Sequence, residues 1–145
     1  MQRVSQARVR VDDQTVGEID RGLMVLVGVS ETDSEEDVRY LAEKVAHLRV
    51  FPDESGRMER SAVESGAEVL VVSQFTLYGD ARKGRRPSYT EAARGEAAKM
   101  RFEAVCAHLR ALGLRVATGS FGAHMLIEMT GDGPVTILLD SRRQF

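Results

Sequence analysis

The sequence has few of the features that cross-link, anchor or export a protein. Its 145 residues include one cysteine, Cys106, so no disulfide can form within the chain, and a reducing cytosol is favoured. No apolar run approaches the roughly 20 residues of a membrane-spanning helix. The first residues carry Arg3, Arg8 and Arg10 and lack the apolar centre of a signal peptide. We therefore expect a cytoplasmic protein with no membrane association.

The common motifs of cofactor and metal binding are also absent. No histidine, cysteine and aspartate cluster has the spacing of zinc ligands, and Gly17, Gly22 and Gly28 form neither a dinucleotide-binding nor a Walker pattern. The formal net charge is only −2, so any contact with nucleic acid must come from a local basic patch. We expect no cofactor and no metal.

What is present indicates one globular domain over residues 1–145. Hydrophobic residues make up 43% and charged residues 29% of the chain, which is ordinary for a globular protein. There is no repeat, low-complexity tract or linker. Apolar runs or alternation predict eight strands, at residues 4–11, 15–19, 23–29, 50–51, 68–72, 114–117, 125–129 and 135–139.

Two helices are predicted. Ser34 with Asp37 is a capping box at the start of the first, and apolar residues then recur at helical spacing: Val38, Leu41, Val45 and Leu48. The second should run from near Gly95 to about Leu112, where Gly113 ends it. Strands and helices do not strictly alternate, so we predict an α+β fold with a mixed or antiparallel, barrel-like sheet and two long helices.

Polar residues follow the buried-type strand 68–72 directly, in the segment Ser73-Gln74-Phe75-Thr76-Leu77. One interpretation is structural: the polar side chains face solvent while Phe75 and Leu77 pack inward with the period of a strand. The other is functional: hydroxyls and an amide at a strand end hold a carbonyl and stabilise the oxyanion that develops on it.

A second unusual segment is Gly133-Pro134-Val135-Thr136, just before the last predicted strand. Proline is tolerated at the first position of a strand. Only about 5–6% of X–Pro bonds are cis in folded proteins, so the residues by themselves favour a trans bond in a turn before an edge strand.

Five short segments, in the same order along the chain, resemble the signatures of the D-aminoacyl-tRNA deacylases, also called D-tyrosyl-tRNA deacylases. They are Gln2-Arg3-Val4, Ser73–Leu77, Arg86-Pro87-Ser88-Tyr89, Gly119–Met125 and Gly133–Thr136. The resemblance implies an enzyme that hydrolyses the ester bond of D-aminoacyl-tRNA or mischarged glycyl-tRNA, as a proofreading step in translation. It also implies a homodimer with its active sites at the subunit interface. The family commonly has asparagine where this chain has Gly131.

The resemblance also implies roles for individual residues. Catalytic roles fall on Ser73, Gln74, Phe75 and Thr76. A cis bond between Gly133 and Pro134 would enter the partner's active site and exclude L substrates, with Arg3 and Met125 assisting. The basic run Arg82, Lys83, Arg85 and Arg86 is either a solvated loop or a contact for tRNA phosphates.

Several alternatives remain open. Thr76 needs a base to act as a nucleophile, and His47, His108 and His124 offer no convincing triad, so the 2′-hydroxyl of the terminal ribose is the alternative activator of water. Ser88 either binds substrate or begins a capping box with Glu91. The rival functions are a non-catalytic module that binds RNA ends and a small-ester hydrolase that uses Thr76 with His124.

Overall fold

The structure is a computed structural model that describes residues 1–145. It contains eight strands: β1 (Gln2–Val11), β2 (Gln14–Ile19), β3 (Gly22–Val27), β4 (Phe51–Pro52), β5 (Met58–Arg60), β6 (Glu68–Ser73), β7 (Arg115–Thr118) and β8 (Leu126–Thr136). The two helices are α1 (Glu35–His47) and α2 (Gly95–Ala111). Neither helix has the length and hydrophobicity that crossing a membrane would require.

Strand β1 organises the main sheet. One of its edges pairs antiparallel with β8, while the other pairs with β3 over residues 2–4 and with β2 over residues 7–11. Strands β3, β6 and β7 then follow in parallel, so the order is β2-β1-β3-β6-β7. The parallel pairs are joined through α1 and α2, as crossover connections require. The predicted α+β fold with a mixed, barrel-like sheet is confirmed.

Close backbone contact nearly closes this sheet into a barrel. Strands β2 and β7 lie at opposite ends of the strand order, yet a Cβ atom at Gly17 would lie 2.2 Å from the Thr118 carbonyl oxygen. Only glycine permits that approach. The hairpin from β1 to β2 turns at Asp12 and Asp13, whose φ values of 46° and 64° are typical of a two-residue hairpin turn.

Alternation along β6 divides the interior into two cores. Val69 and Val71 face the helices, in a cluster of 21 buried residues that includes Phe102 and Leu109 of α2. Leu70 and Val72 face the barrel interior, where seven buried residues from β1, β2, β3 and β6 meet. A strand buried on both faces is continuously apolar, which is why 68–72 could be recognised in the sequence.

The helices begin close to where the sequence predicts them. Ser34 donates from its backbone N–H and from its hydroxyl to the Asp37 carboxylate, both at 2.7 Å, and these bonds hold the pKa of Asp37 down, to about 2. Helix α2 begins at Gly95 and ends before Gly113. The alternative of a capping box at Ser88 is wrong, because the helix starts seven residues later.

The structure differs from the sequence-based prediction mainly in where the strands begin and end. Residues 125–129 and 135–139 are not two strands, because β8 runs from Leu126 to Thr136 as one strand, with irregularities in its register against β1. Pro134 therefore lies near the end of a strand and does not open one. Strand β3 ends at Val27, two residues early, and β5 was not predicted. β5 is three exposed residues that pair only with β4, too short for a periodic pattern.

Candidate active site

A pocket of about 600 Å³ opens at the carboxyl end of β6. Such strand ends are the usual ligand sites of sheets with parallel strands. The pocket is bounded by that strand end, the start of α2 and the loop before β8. Among its 18 lining residues are Ser73, Gln74, Phe75, Tyr89, Arg94, His124 and Met125.

The polar segment leaves β6 in a fixed conformation. The Gln74 N–H donates to the Val27 carbonyl oxygen at 2.8 Å, and residues 75–78 then form a 3₁₀ turn. Because the segment is a 3₁₀ turn and not an extended strand, its side chains do not alternate between two faces. The structural alternative for the segment is therefore wrong: Phe75 and Leu77 are 57% and 55% exposed and do not pack inward.

The side chains of Gln74 and Thr76 form a hydrogen bond in which the Gln74 amide donates to the Thr76 hydroxyl oxygen. Thr76 is exposed and is not among the residues that line the pocket, whereas Ser73, Gln74 and Phe75 are. None of the hydrogen bonds or ion pairs of the three histidines involves Thr76.

Two aromatic rings form one wall of the pocket. Phe75 and Tyr89 pack edge to face, with ring centroids 5.2 Å apart and planes at 76°. Because Phe75 is more than half exposed, its ring is available to stack on a planar ligand. Sequence reasoning did not assign Tyr89 to the site. The sequence feature that could have identified Tyr89 is its position in the Arg86–Tyr89 segment, one of the five that resemble the family.

The loop 119–125 also lines the pocket, to which it brings Phe121, His124 and Met125. The Gly119 N–H donates to the Val71 carbonyl oxygen at 3.1 Å, which ties the loop to β6. A Cβ atom at Gly119 would lie 2.7 Å from the Met125 sulfur. This glycine therefore sets how deeply the Met125 side chain can sit beside the pocket.

The basic run lies in a loop that begins and ends beside the pocket. Asp80 and Ser88 close the loop with two backbone hydrogen bonds of 2.8 and 2.9 Å. Arg82 donates twice to the Asp80 carboxylate, at 2.8 Å each, and this pairing lowers the pKa of Asp80 to about 2. The other cations of the run are exposed and form no ion pair within the chain: Lys83, Arg85 and Arg86.

The Gly133–Pro134 segment is not part of this pocket. Its peptide bond is cis, the geometry that the family resemblance implied, and both residues are exposed. They lie at the far end of β8, so that about 20 Å of strand separates Pro134 from Leu126 beside the pocket. One chain by itself does not bring the two predicted parts of the site together.

Arg3 holds the backbone just before Gly133. Its Nε donates to the Asp132 carbonyl oxygen at 3.0 Å and lies 3.3 Å from the Asp132 carboxylate. Its Nη1 donates to the carbonyl oxygen of Val50 at 2.8 Å. The Arg3 side chain is 11% exposed, so these bonds are largely shielded from water. On the other side of the segment, Ile137 pairs with Met1 through two backbone hydrogen bonds.

The remaining reactive groups lie apart from the pocket. Cys106 is 2% exposed, and burial raises the pKa of its thiol to about 11, so it stays protonated and packs as a small apolar residue. No three His, Cys, Asp or Glu side chains are grouped as metal ligands would be.

Solved structures define the class of fold. The structure of a c-Myc DNA unwinding element binding protein matches with a TM-score of 0.89 and 37% identity, over 96% of this chain and 95% of that one. A structure described as a probable eukaryotic D-amino acid tRNA deacylase matches with a TM-score of 0.80 over 92% of both chains, at 20% identity, which speaks for the fold alone. The fold is thus that of the tRNA deacylase-like α+β proteins.

Sequence comparison then identifies the family. The profile described as D-Tyr-tRNA(Tyr) deacylase matches residues 1–140. A D-aminoacyl-tRNA deacylase of Heliobacterium modesticaldum is 58% identical over 98% of this chain and 95% of its own length. That of Anaeromyxobacter dehalogenans is 57% identical over 100% and 97%. The chain belongs to the D-Tyr-tRNA(Tyr) deacylase family, which confirms the resemblance read from five short segments.

Proposed function

We propose that this chain is an ester hydrolase that releases D-amino acids from tRNA, and that it also accepts glycyl-tRNA. Family membership over nearly the whole chain is the observation that carries the proposal. The pocket supports it, because Ser73 and Gln74 supply neutral hydrogen-bond donors beside an exposed aromatic ring. In this role the protein acts in the cytoplasm as a proofreading factor of translation.

In the proposed reaction, water attacks the carbonyl carbon of the ester and the bond to the ribose 3′ oxygen breaks. The Ser73 hydroxyl, the Gln74 amide and nearby backbone N–H groups stabilise the negative charge on the carbonyl oxygen. Removing one such donor typically lowers the rate by about 100- to 1000-fold. The neighbouring 2′-hydroxyl takes the proton of the attacking water and passes its own to the leaving 3′ oxygen. Thr76 positions Gln74 through their hydrogen bond.

A substrate change separates this mechanism from nucleophilic attack by Thr76. We expect D-tyrosyl-tRNA that ends in 2′-deoxyadenosine to be hydrolysed far more slowly than the normal substrate. Thr76→Val should keep measurable activity, because valine retains the shape of threonine and removes only the hydroxyl. Normal turnover of the deoxy substrate, with complete loss in Thr76→Val and in His124→Ala, would instead support the rival small-ester hydrolase.

Selection against L substrates is assigned to the backbone at Gly133–Pro134. Two enantiomers carry the same groups, so counting hydrogen bonds or buried methylenes cannot separate them, and an apolar pocket discriminates by only about 1–3 kcal/mol per methylene. A rigid carbonyl that accepts from the α-ammonium of one hand and collides with the Cβ of the other excludes by shape. Glycine has no Cβ to collide with the carbonyl, so glycyl-tRNA is accepted as a substrate. The bonds of Arg3 to Asp132 and Val50 supply the rigidity.

We further propose a homodimer in which each chain supplies Gly133–Pro134 to the pocket of the other. The separation along β8 within one chain supports this arrangement. Large apolar side chains on β8 are also exposed, including Leu126 at 50% and Met129 at 45%, and such a face is typical of an interface.

Purified heterodimers test the shared site. In a heterodimer of a Gln74→Ala chain and a Pro134→Ala chain, the only pocket with Gln74 faces an unaltered Pro134. We expect it to hydrolyse D-tyrosyl-tRNA and reject L-tyrosyl-tRNA, whereas the Pro134→Ala homodimer should hydrolyse both. Heterodimers that hydrolyse both hands, or a monomer with full selectivity, would contradict the shared site. Binding of tRNA with no hydrolysis of any D ester would leave only the RNA-end-binding module.

A further inference from the structure

One side chain in the pocket carries a permanent charge. Of the 18 lining residues, 12 are hydrophobic, and Arg94 is the only arginine, lysine, aspartate or glutamate among them. Arg94 is exposed, so its charge is solvated and can be reached by a ligand that enters the pocket from solution.

Arg94 has no partner in the chain. None of the ion pairs includes it, and its side chain makes no hydrogen bond, whereas Arg3, Arg8, Arg82 and Arg115 are all engaged by carboxylates. The backbone that carries Arg94 is nevertheless held firmly. The Ala93 N–H donates to the Val29 carbonyl oxygen at 2.8 Å, and Ala92 pairs with Ser30. The guanidinium group is thus unpaired on a fixed backbone beside the candidate ester site.

We propose that Arg94 binds the phosphate group that joins the terminal adenosine of tRNA to the preceding nucleotide. This inference rests on the proposed function. With the ester at the end of β6, that phosphate lies one ribose away from the reacting carbonyl. A guanidinium group matches a phosphate with two parallel hydrogen bonds.

The charge of the rest of the substrate supports the same orientation. The aminoacyl end carries an α-ammonium group, which Arg94 repels, so the two charges favour binding with the phosphate towards Arg94 and the amino acid away from it. Lys83, Arg85 and Arg86 lie in a separate loop closed by Asp80 and Ser88, and they are assigned to phosphates farther along the acceptor strand. Arg94 alone is assigned to the terminal one.

Paired substrates with and without this phosphate test the assignment. The probes are the 3′-O-D-tyrosyl ester of adenosine and the same ester of adenosine 5′-monophosphate. We expect Arg94→Ala to lower kcat/KM for the phosphorylated ester by about 10- to 100-fold, the usual effect of losing a charged hydrogen bond, mostly through KM. The phosphate-free ester should be hydrolysed as by the unaltered protein. Arg94→Lys should recover part of the loss.

Arg101→Ala is the matched control, because Arg101 lies on α2, the helix that follows Arg94, and outside the pocket; it should leave both esters unaffected. Equal losses on the two esters in Arg94→Ala, or no loss on either, would overturn the assignment.

Calorimetric binding of adenosine 5′-monophosphate and of adenosine separates this inference from the proposed function. Tighter binding of the nucleotide by the unaltered protein, lost in Arg94→Ala, supports the phosphate contact even if no ester is hydrolysed. Hydrolysis of D esters without that difference supports the proposed function and refutes the role of Arg94.

Discussion

Replacing Arg3 with methionine removes the bonds that fix the backbone before Gly133 while keeping an unbranched apolar stem in the same place. The matched control is Arg8→Met. Both arginines lie on β1 and both contact β8, but Arg8 reaches Glu128 from a side chain that is 51% exposed, against 11% for Arg3. The pair of variants therefore separates a shielded interaction from an exposed one on the same two strands.

The expected magnitudes differ severalfold. The bond from Arg3 to the carbonyl of Val50, a 5% exposed residue, is worth about 2 kcal/mol, which is typical of a charged donor. The bond to the more exposed Asp132 carbonyl is worth about 1 kcal/mol, which is typical of an ordinary hydrogen bond, because water competes for it. Arg3→Met should thus lower the free energy of unfolding by about 3 kcal/mol. Arg8→Met should cost about 0.5 kcal/mol, the usual value of a surface ion pair.

Urea denaturation at one fixed protein concentration measures both values, and that concentration is held constant because the stability of the proposed dimer would depend on it. A thermal melt should show a drop in Tm of about 9 °C for Arg3→Met, at about 3 °C per kcal/mol for a chain of this size. We also expect Arg3→Met, and not Arg8→Met, to raise the hydrolysis of L-tyrosyl-tRNA relative to D-tyrosyl-tRNA. Equal destabilisation by the two variants, or unchanged chiral selectivity in Arg3→Met, would refute the bracing role.

Three further changes test the site and its surroundings. Gly119→Ala should push the Met125 side chain aside, since the new Cβ would lie 2.7 Å from its sulfur. We expect kcat/KM on D-tyrosyl-tRNA to fall. The free energy of unfolding should change by less than about 1 kcal/mol, because the methionine side chain is flexible. Asp37→Asn should lower stability at neutral pH. Since folding lowers the pKa of this carboxyl from 3.8 to about 2, its contribution is present above pH 4 and is lost as the pH falls towards 2, so urea midpoints of the two proteins should converge over that interval. Gly131→Asn should stabilise the protein by about 0.5 kcal/mol, because losing a glycine lowers the conformational entropy of the unfolded chain. The folded state has room for the change, since a Cβ at this position meets nothing within 4 Å. A lower urea midpoint would show that this strand position requires glycine.

Some parts of the site could be predicted from the sequence because they depend on residues that are close together in the chain. The run from Glu68 to Val72 is buried on both faces, and the polar residues after it mark the strand end that opens into the pocket. The start of α1 after Ser34 and the end of α2 before Gly113 follow from capping and backbone preferences that act within one turn. Signature segments then linked Ser73, Met125 and Gly133 to one family.

Other parts depended on contacts between distant residues. The sequence 131–134 is typical of a turn, and residues 132–135 indeed bulge out of the ladder, but the pairs Val4↔Gly131 and Gln2↔Thr136 on either side keep the stretch within β8. Arg94 gives no sign of a ligand in the sequence. Arg94 borders the pocket because the neighbouring Ala93 is hydrogen-bonded to Val29, which lies more than sixty residues earlier in the chain.

The amino-acid sequence by itself determined the family, the two helices, the buried strand and the polar strand end, because capping, periodicity and signature residues act over a few positions. Only the tertiary structure decided that β8 is one strand, that Phe75 stands exposed beside Tyr89, and that Pro134 lies far from the pocket of its own chain. Those features arise when the closing sheet brings together backbone groups that are far apart in the chain, and no local pattern encodes such a pairing.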